Sequence, residues 1–264
     1  MQGEEEPFMR IKVLGASGSV SEGENTPAFL LDDFLLLDAG TVSLPFRKKA
    51  QAQISDIFLS HAHLDHIKGI PFLVENLTNN TKPKKFVTIY SGKEVIQDLK
   101  RHIFNNRIWP DFSVIPSPDH GLLRYHSLST AGNIAVRQYR IHTTKVNHTV
   151  PAYGYLIEED NRNCLVYSGD SGPTEAIWKR MAGHRVMALI IEVSFPNALR
   201  KLALFTGHLT PSLLKNEIKK MPVLPEKIFI THAKFQYKNT IQKELHSLKG
   251  IRWEFLDDGM EIKI

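Results

Sequence analysis

The stretch His61-Ala62-His63-Leu64-Asp65-His66 constrains this chain more than any other, because it packs four imidazole or carboxylate side chains into six residues directly after the apolar run Ile57-Phe58-Leu59-Ser60. Side chains alternate along a strand, but a turn just past its end lets them converge on one point. Mixed imidazole and carboxylate donors suit borderline-soft divalent ions such as zinc. A lone histidine is well explained as a surface or hydrogen-bonded core residue. Four donors at this density predict a site for two adjacent metal ions.

The rest of the chain must supply a scaffold for such a site. With 264 residues, 42% of them hydrophobic, it can bury one large core, which predicts a single domain over 1–264. No apolar run reaches the roughly 18 to 20 residues that span a bilayer, which argues against membrane insertion. The start, Met1-Gln2-Gly3-Glu4-Glu5-Glu6, is acidic where a secretory signal is basic and then apolar. A cytoplasmic protein is therefore expected, with Met9 an alternative start. Cys164 is the only cysteine, so it has no internal disulfide partner, and its setting in Asn163-Cys164-Leu165-Val166-Tyr167 reads as a small buried strand residue. The net charge of +5 tolerates an anionic partner, but Arg47-Lys48-Lys49, Lys82 to Lys85 and Lys219-Lys220 are short scattered clusters that read as solvated surface.

Apolar runs and turn residues predict strands at 10–15, 27–31 and 34–38, with Asp32-Asp33 as the turn between the last two. Further strands are expected at 86–90, 134–141, 153–158, 164–167, 187–193, 227–231 and 260–264, and helices at 67–77, 93–104, 174–182, 211–220 and 239–248. The helix from Pro211 carries a Thr210 cap followed by proline at its first position. Residues 105–133, rich in Pro, Asp and Ser, read as an irregular insertion near the active site. The interleaving defines an α/β chain.

Three more ligand-type residues follow predicted strands, where α/β scaffolds place functional loops. His148 ends Lys145-Val146-Asn147-His148, Asp170 follows Tyr167-Ser168-Gly169, and His232 follows Ile228-Phe229-Ile230-Thr231. Each alone is equally a turn residue or a loop histidine; their shared position is what marks them.

In this order the donors His61, His63, Asp65, His66, His148, Asp170 and His232 resemble the metallo-β-lactamase superfamily. The resemblance implies a four-layer αββα sandwich with two mixed sheets and a dinuclear metal site at the sheet edge. It implies that His61, His63 and His148 hold one metal, that Asp65, His66 and His232 hold the other, and that Asp170 bridges them. The ions would be Zn2+, with Mn2+ or Fe2+ as alternatives. Within the superfamily the chain is most similar to class II cyclic-nucleotide phosphodiesterases. That similarity is carried by Ile108-Trp109-Pro110-Asp111-Phe112, His148-Thr149-Val150-Pro151-Ala152-Tyr153-Gly154-Tyr155, Ser168-Gly169-Asp170-Ser171-Gly172, Glu192-Val193-Ser194-Phe195-Pro196-Asn197 and Gly207-His208-Leu209-Thr210-Pro211. The Ala233-Lys234-Phe235 after His232 departs from the pattern.

The implied reaction is hydrolysis of 3′,5′-cyclic nucleotides, cAMP or cGMP, to 5′-nucleotides. Paired cations lower the pKa of a bridging water and stabilise charge on phosphate oxygens. Asp65 and Asp170 are expected to position the resulting hydroxide. The leaving oxygen needs a proton, for which His208 is the candidate donor, with Glu192 orienting it; a loop histidine and a strand-end carboxylate are the plainer readings.

For substrate binding, the backbone at Ser17 and Gly18 is a candidate phosphate contact, although a tight turn or support for the metal loop explains both residues equally. Trp109 and Phe112 are candidates for stacking a nucleobase, with an apolar plug or a dimer contact as the alternative. Monomer and homodimer both stay open. The nearest rival is a tRNA 3′-processing endonuclease of the same superfamily. Those enzymes carry a tRNA-binding arm between the ligands matching His148 and Asp170, whereas here only 21 residues separate them. A polynucleotide substrate is therefore disfavoured. A thioesterase or lactamase is less favoured, and a non-catalytic binding module is disfavoured because the donor set is intact.

Overall fold

A computed structural model describes residues 9–42, 51–78, 86–159, 163–248, 250 and 252–264. The acidic start Met1 to Glu6, the clusters Arg47-Lys48-Lys49 and Lys82 to Lys85, and residues 160–162 lie outside the described residues.

In chain order the first sheet collects β1 (Arg10–Gly15), β2 (Ala28–Leu31), β3 (Leu35–Leu37), β4 (Asp56–Phe58), β5 (Val87–Ser91) and β6 (Leu123–Ser127). The second collects β7 (Asn133–Val136), β8 (Tyr139–Val146), β9 (Ala152–Glu158), β10 (Asn163–Tyr167), β11 (Arg185–Glu192), β12 (Lys227–Thr231) and β13 (Trp253–Phe255). The last strand, β14 (Glu261–Lys263), returns to pair with β1. Among the described residues each sheet has seven strands, ordered β14-β1-β2-β3-β4-β5-β6 and β13-β12-β11-β10-β9-β8-β7. Both are mixed in the same way. The pairs from β14 to β3 and from β7 to β10 are antiparallel, and those from β3 to β6 and from β10 to β13 are parallel.

Period-two alternation explains how the layers close. In β10, Leu165 and Tyr167 join the core between the sheets, while Cys164 and Val166 join a second core beneath the helices. Ala188 and Ile190 against Leu189 and Ile191 do the same in β11. The second core takes its other side from α4 (Ala176–Arg180), α6 (Pro211–Ile218) and α7 (Lys238–His246). On the far side of the first sheet, α2 (Ile70–Thr78) and α3 (Lys93–Asp98) contribute Ile70, Leu73, Val74 and Val95. Helices thus cover both outer faces, as the four-layer expectation requires.

Several boundaries differ from the sequence reading. The expected strand 134–141 is a hairpin, β7 and β8, broken at Arg137, whose φ is +51°. The expected helix 93–104 continues from α3 as a π-helix over Leu99–Ile103. The segment 105–133 is not wholly irregular, since it supplies β6, whose Leu123 is buried but whose remaining residues are not. That pattern lacks the continuous apolar run expected of an inner parallel strand, because β6 is an edge. Helix α5 (Arg200–Phe205) is not legible in the sequence, because only Ala203 is buried and no apolar face repeats. The turn at Asp32-Asp33 is as expected, with φ of +44° and +64°. Thr210 caps α6 by accepting from Leu213 N–H at 3.4 Å. Among the described residues no helix is long and apolar enough to cross a membrane.

Candidate metal centre and active site

Ligands of open α/β sheets sit beyond the carboxyl ends of parallel strands. In this chain Asp38 follows β3, His61 to His66 follow β4, Asp170 follows β10, Glu192 ends β11 and His232 follows β12. His63 precedes the one-turn helix α1 (Leu64–Ile67), which carries Asp65 and His66 back over the same edge.

The donor atoms of His61, His63 and His148 lie within 4.8 Å of one another, as do those of Asp65, His66 and His232 and those of His61, His66 and Asp170. His148 Nε2 is 3.3 Å from His63 Nδ1, and Asp170 Oδ2 is 3.1 Å from His232 Nε2 and 3.3 Å from His66 Nε2. All seven expected donors are therefore gathered in the two triads and the central carboxylate that the resemblance implied.

Most of these imidazoles are held from behind, which frees the other ring nitrogen. Asp38 Oδ2 lies 2.7 Å from His66 Nδ1. Gly207 C=O accepts from His148 Nδ1 at 2.9 Å, and Ser194 Oγ lies 2.9 Å from His232 Nδ1. Ser60 Oγ donates to Asp38 and lies 2.9 Å from His61 Nδ1. His61 Nε2 is buried with no hydrogen-bond partner. A buried ring nitrogen without a protein partner, facing a carboxylate and further imidazoles, fits a divalent cation.

The electrostatics ready most of these donors, His66 excepted: burial disfavours its imidazolium, but the carboxylates of Asp170 and Asp38 outweigh that and raise its pKa well above the ordinary histidine range. Burial pushes His61 well below the ordinary histidine range, helped by the charge of His66, and burial lowers His63 and His148 as well. Burial works against charge on Asp65, yet the hydrogen bond from His232 and the charge of His66 hold its carboxyl at about 2. Burial likewise opposes the Asp170 carboxylate, but His232 and His66 keep it well below the usual range. Neutral imidazoles and ionised carboxylates are the forms that bind metal.

Glu192 and His208 form a buried pair beside the donors. His208 Nδ1 is 2.9 Å from Glu192 Oε1, which also accepts from Leu209 N–H at 3.1 Å. Burial disfavours the imidazolium of His208, but the Glu192 charge and hydrogen bond outweigh it and raise the pKa. The other carboxylate oxygen accepts from Ser194 Oγ at 2.7 Å, so one carboxylate orients His208 directly and His232 through Ser194.

Asp38 and Ser194 are the residues the sequence reading missed. Asp38 ends the expected strand 34–38 and follows the shorter observed β3, and Ser194 stands two residues past Glu192, beyond the end of β11.

Three of the four candidate substrate contacts, Ser17, Gly18 and Phe112, are buried. Ser17 is 3% exposed and its hydroxyl donates to Ala233 C=O at 3.2 Å. A Cβ on Gly18 would come within 2.4 Å of His232 O. Both residues brace the His232 turn, whose φ is +61°, and their backbone N–H groups are engaged, that of Ser17 donating to Asn25 C=O at 2.8 Å and that of Gly18 to Ala233 C=O at 3.1 Å. Phe112 is 5% exposed within the larger hydrophobic core, so its faces are covered. Trp109 packs edge-on against Phe72 at 5.3 Å and is half-buried. The opening beside His63 is a cavity of about 300 Å³ lined instead by Ile67, Asp98, His102, Ile103 and Val150.

Residues 33–232 match the family model for a Beta-lactamase superfamily domain, and the chain belongs to the metallo-β-lactamase superfamily of hydrolases. Among its relatives, a "Probable 3',5'-cyclic-nucleotide phosphodiesterase" of Yersinia pestis is 27% identical over 88% of this chain and 81% of that protein. A "3',5'-cyclic-nucleotide phosphodiesterase" of Aliivibrio fischeri is 26% identical over 93% and 90%. A "Ribonuclease Z" of Haloarcula marismortui is 28% identical over 58% of this chain and 49% of its own length. The fold is similar to that of unliganded yeast PDE1, with a TM-score of 0.83 at 20% identity, covering 97% and 99% of the two chains. These findings define a metallo-hydrolase with phosphodiesterase homologues.

Proposed function

We propose that this chain is a dinuclear metal-dependent phosphodiesterase that hydrolyses 3′,5′-cyclic nucleotides, cAMP or cGMP, to 5′-nucleotides. The observation that carries the reading is the convergence of two three-donor sets on Asp170, beside the buried Glu192–His208 pair. His61, His63 and His148 would hold one ion and Asp65, His66 and His232 the other, with Asp170 between them. When bound, such ions supply Lewis-acid polarisation of the phosphoryl oxygens and a water acidified toward neutrality.

The chain's own groups complete the reaction. Asp65 and Asp170 offer carboxylate oxygens that orient the attacking water. His208, its Nδ1 engaged by Glu192, keeps Nε2 for the departing ribose oxygen, and the Glu192 charge, outweighing burial, raises its pKa and favours the protonated form that can donate. The cavity beside His63 has a volume of about 300 Å³, at the lower end of small-molecule sites. Between His148 and Asp170 the chain runs directly through β9 and β10, paired in register from Tyr155–Tyr167 to Glu158–Cys164. This favours a small substrate over a tRNA. A cyclic nucleotide also fits the cytoplasmic location expected from the sequence.

The test is to compare the efficiency of metal-loaded protein toward 3′,5′-cAMP, 3′,5′-cGMP, 2′,3′-cyclic nucleotides, bis(p-nitrophenyl) phosphate and precursor tRNA. Preference for a 3′,5′-cyclic nucleotide is expected. Cleavage of generic esters or of precursor tRNA without cyclic-nucleotide turnover would remove the substrate assignment and leave the hydrolase.

A further inference from the structure

A second group of metal-ligating side chains lies away from this centre. His142 of β8, Glu158 of β9 and His184, just ahead of β11, bring one donor atom each within 4.8 Å of the others. His142 shares strand parity with Val146, and Glu158 with Leu156, both of which pack under the helices, so the group sits on the helix-covered face of the second sheet. His142 is four residues from the Val146 end of β8, which puts it roughly 13 Å back along the strand from the edge that carries His148.

Three observations point to a ligand. His184 Nδ1 is buried and has no hydrogen-bond partner. His142 Nε2 and Glu158 Oε2 stand 3.5 Å apart, long for a charge-assisted hydrogen bond. That separation is close to the edge of a tetrahedron of ligands, about 3.3 to 3.4 Å for bonds of roughly 2.0 to 2.1 Å to zinc. The side chains of His142 and Glu158 are 13% and 16% exposed, buried enough to order them and open enough for an ion to enter.

We infer that His142, Glu158 and His184 form an accessory site for a divalent transition-metal ion of the zinc class, which ties the turn after α4 to strands β8 and β9. Its fourth position would be left to water. Two neighbours bear on it. Burial keeps His142 below the ordinary histidine range, in the neutral form that coordinates. Arg180, the nearby cation, directs its guanidinium to Thr130 C=O at 2.6 Å. Cys164 is paired with Glu158 in register, and the donor atoms that converge here are two imidazoles and one carboxylate.

The experiment uses full-length protein equilibrated with Zn2+ and freed of unbound metal, with zinc per chain measured by mass spectrometry. The H142A/H184A double variant should retain one equivalent fewer than the parent and keep its hydrolase activity. Equal zinc contents would overturn the inference. Should the double variant fail to fold by circular dichroism, E158Q is the substitute, and it should release one equivalent at about tenfold lower chelator concentration than the parent. As an independent readout, Zn2+ should slow amide hydrogen exchange across 176–185 in the parent but not in the variant. Identical protection in the two would also overturn the inference.

Discussion

Asp38 Oδ2 accepts from His66 Nδ1 at 2.7 Å while the same carboxylate accepts from Ser60 N–H and Ser60 Oγ, each at 2.7 Å, and from the Tyr167 hydroxyl. One fully buried side chain thereby ties β3, the donor loop and β10 together and fixes the ring of His66. Asp38→Asn keeps the shape but weakens that hold. Metal affinity, measured by chelator competition, should fall about 10 to 100-fold. An unchanged affinity would mean that Asp38 serves folding alone.

His208→Ala removes the proposed proton donor without touching the seven metal donors. The rate should fall roughly 10² to 10⁴-fold while bound metal stays at the parent level. Loss of metal in this variant would make His208 a structural residue.

Glu192 raises the pKa of His208, so His208 keeps its proton to a higher pH than a free histidine at about 6.5. A raised folded pKa contributes stability that is fully present below that unfolded value and is lost as pH rises through the folded one. The turnover of an enzyme needing this proton follows the same direction and declines on the alkaline side. Glu192→Gln, assayed at saturating metal, should move the alkaline limb of the pH–rate profile to lower pH. Glu192→Ala should in addition cost about 3 to 5 kcal/mol of stability in urea unfolding, because it strands buried donors at Ser194, His208 and Leu209.

Gly18→Ala tests the bracing of the His232 turn. The added Cβ would meet His232 O at 2.4 Å and Nδ1 at 2.7 Å, so the turn must shift. A loss of about 1 to 3 kcal/mol is expected, together with weaker metal retention. Parent-like unfolding and metal content would show that the turn accommodates a methyl group.

Cys164 is 1% exposed, and burial raises its thiol pKa to about 12. An alkylating reagent at neutral pH should leave it unmodified in the native protein and label it fully after denaturation. Rapid labelling of the folded protein would contradict its place in the second core.

The sequence by itself determined most of the strands and the candidate metal donors, because both are written in local patterns. Strand β12 is legible as Lys227 to Thr231, and the donors each lie just past a strand end or cluster within a single turn. Only the tertiary structure decided what stands behind those donors. Asp38 serves a ring 28 residues away and Ser194 one 38 residues away, distances over which no periodicity survives. The same holds for Ser17, Gly18 and Phe112, whose residue types suit a ligand site but whose neighbours are the His232 turn and the larger hydrophobic core. Residue chemistry sets what a side chain can bind; which partner it meets depends on contacts between segments that the chain brings together only on folding.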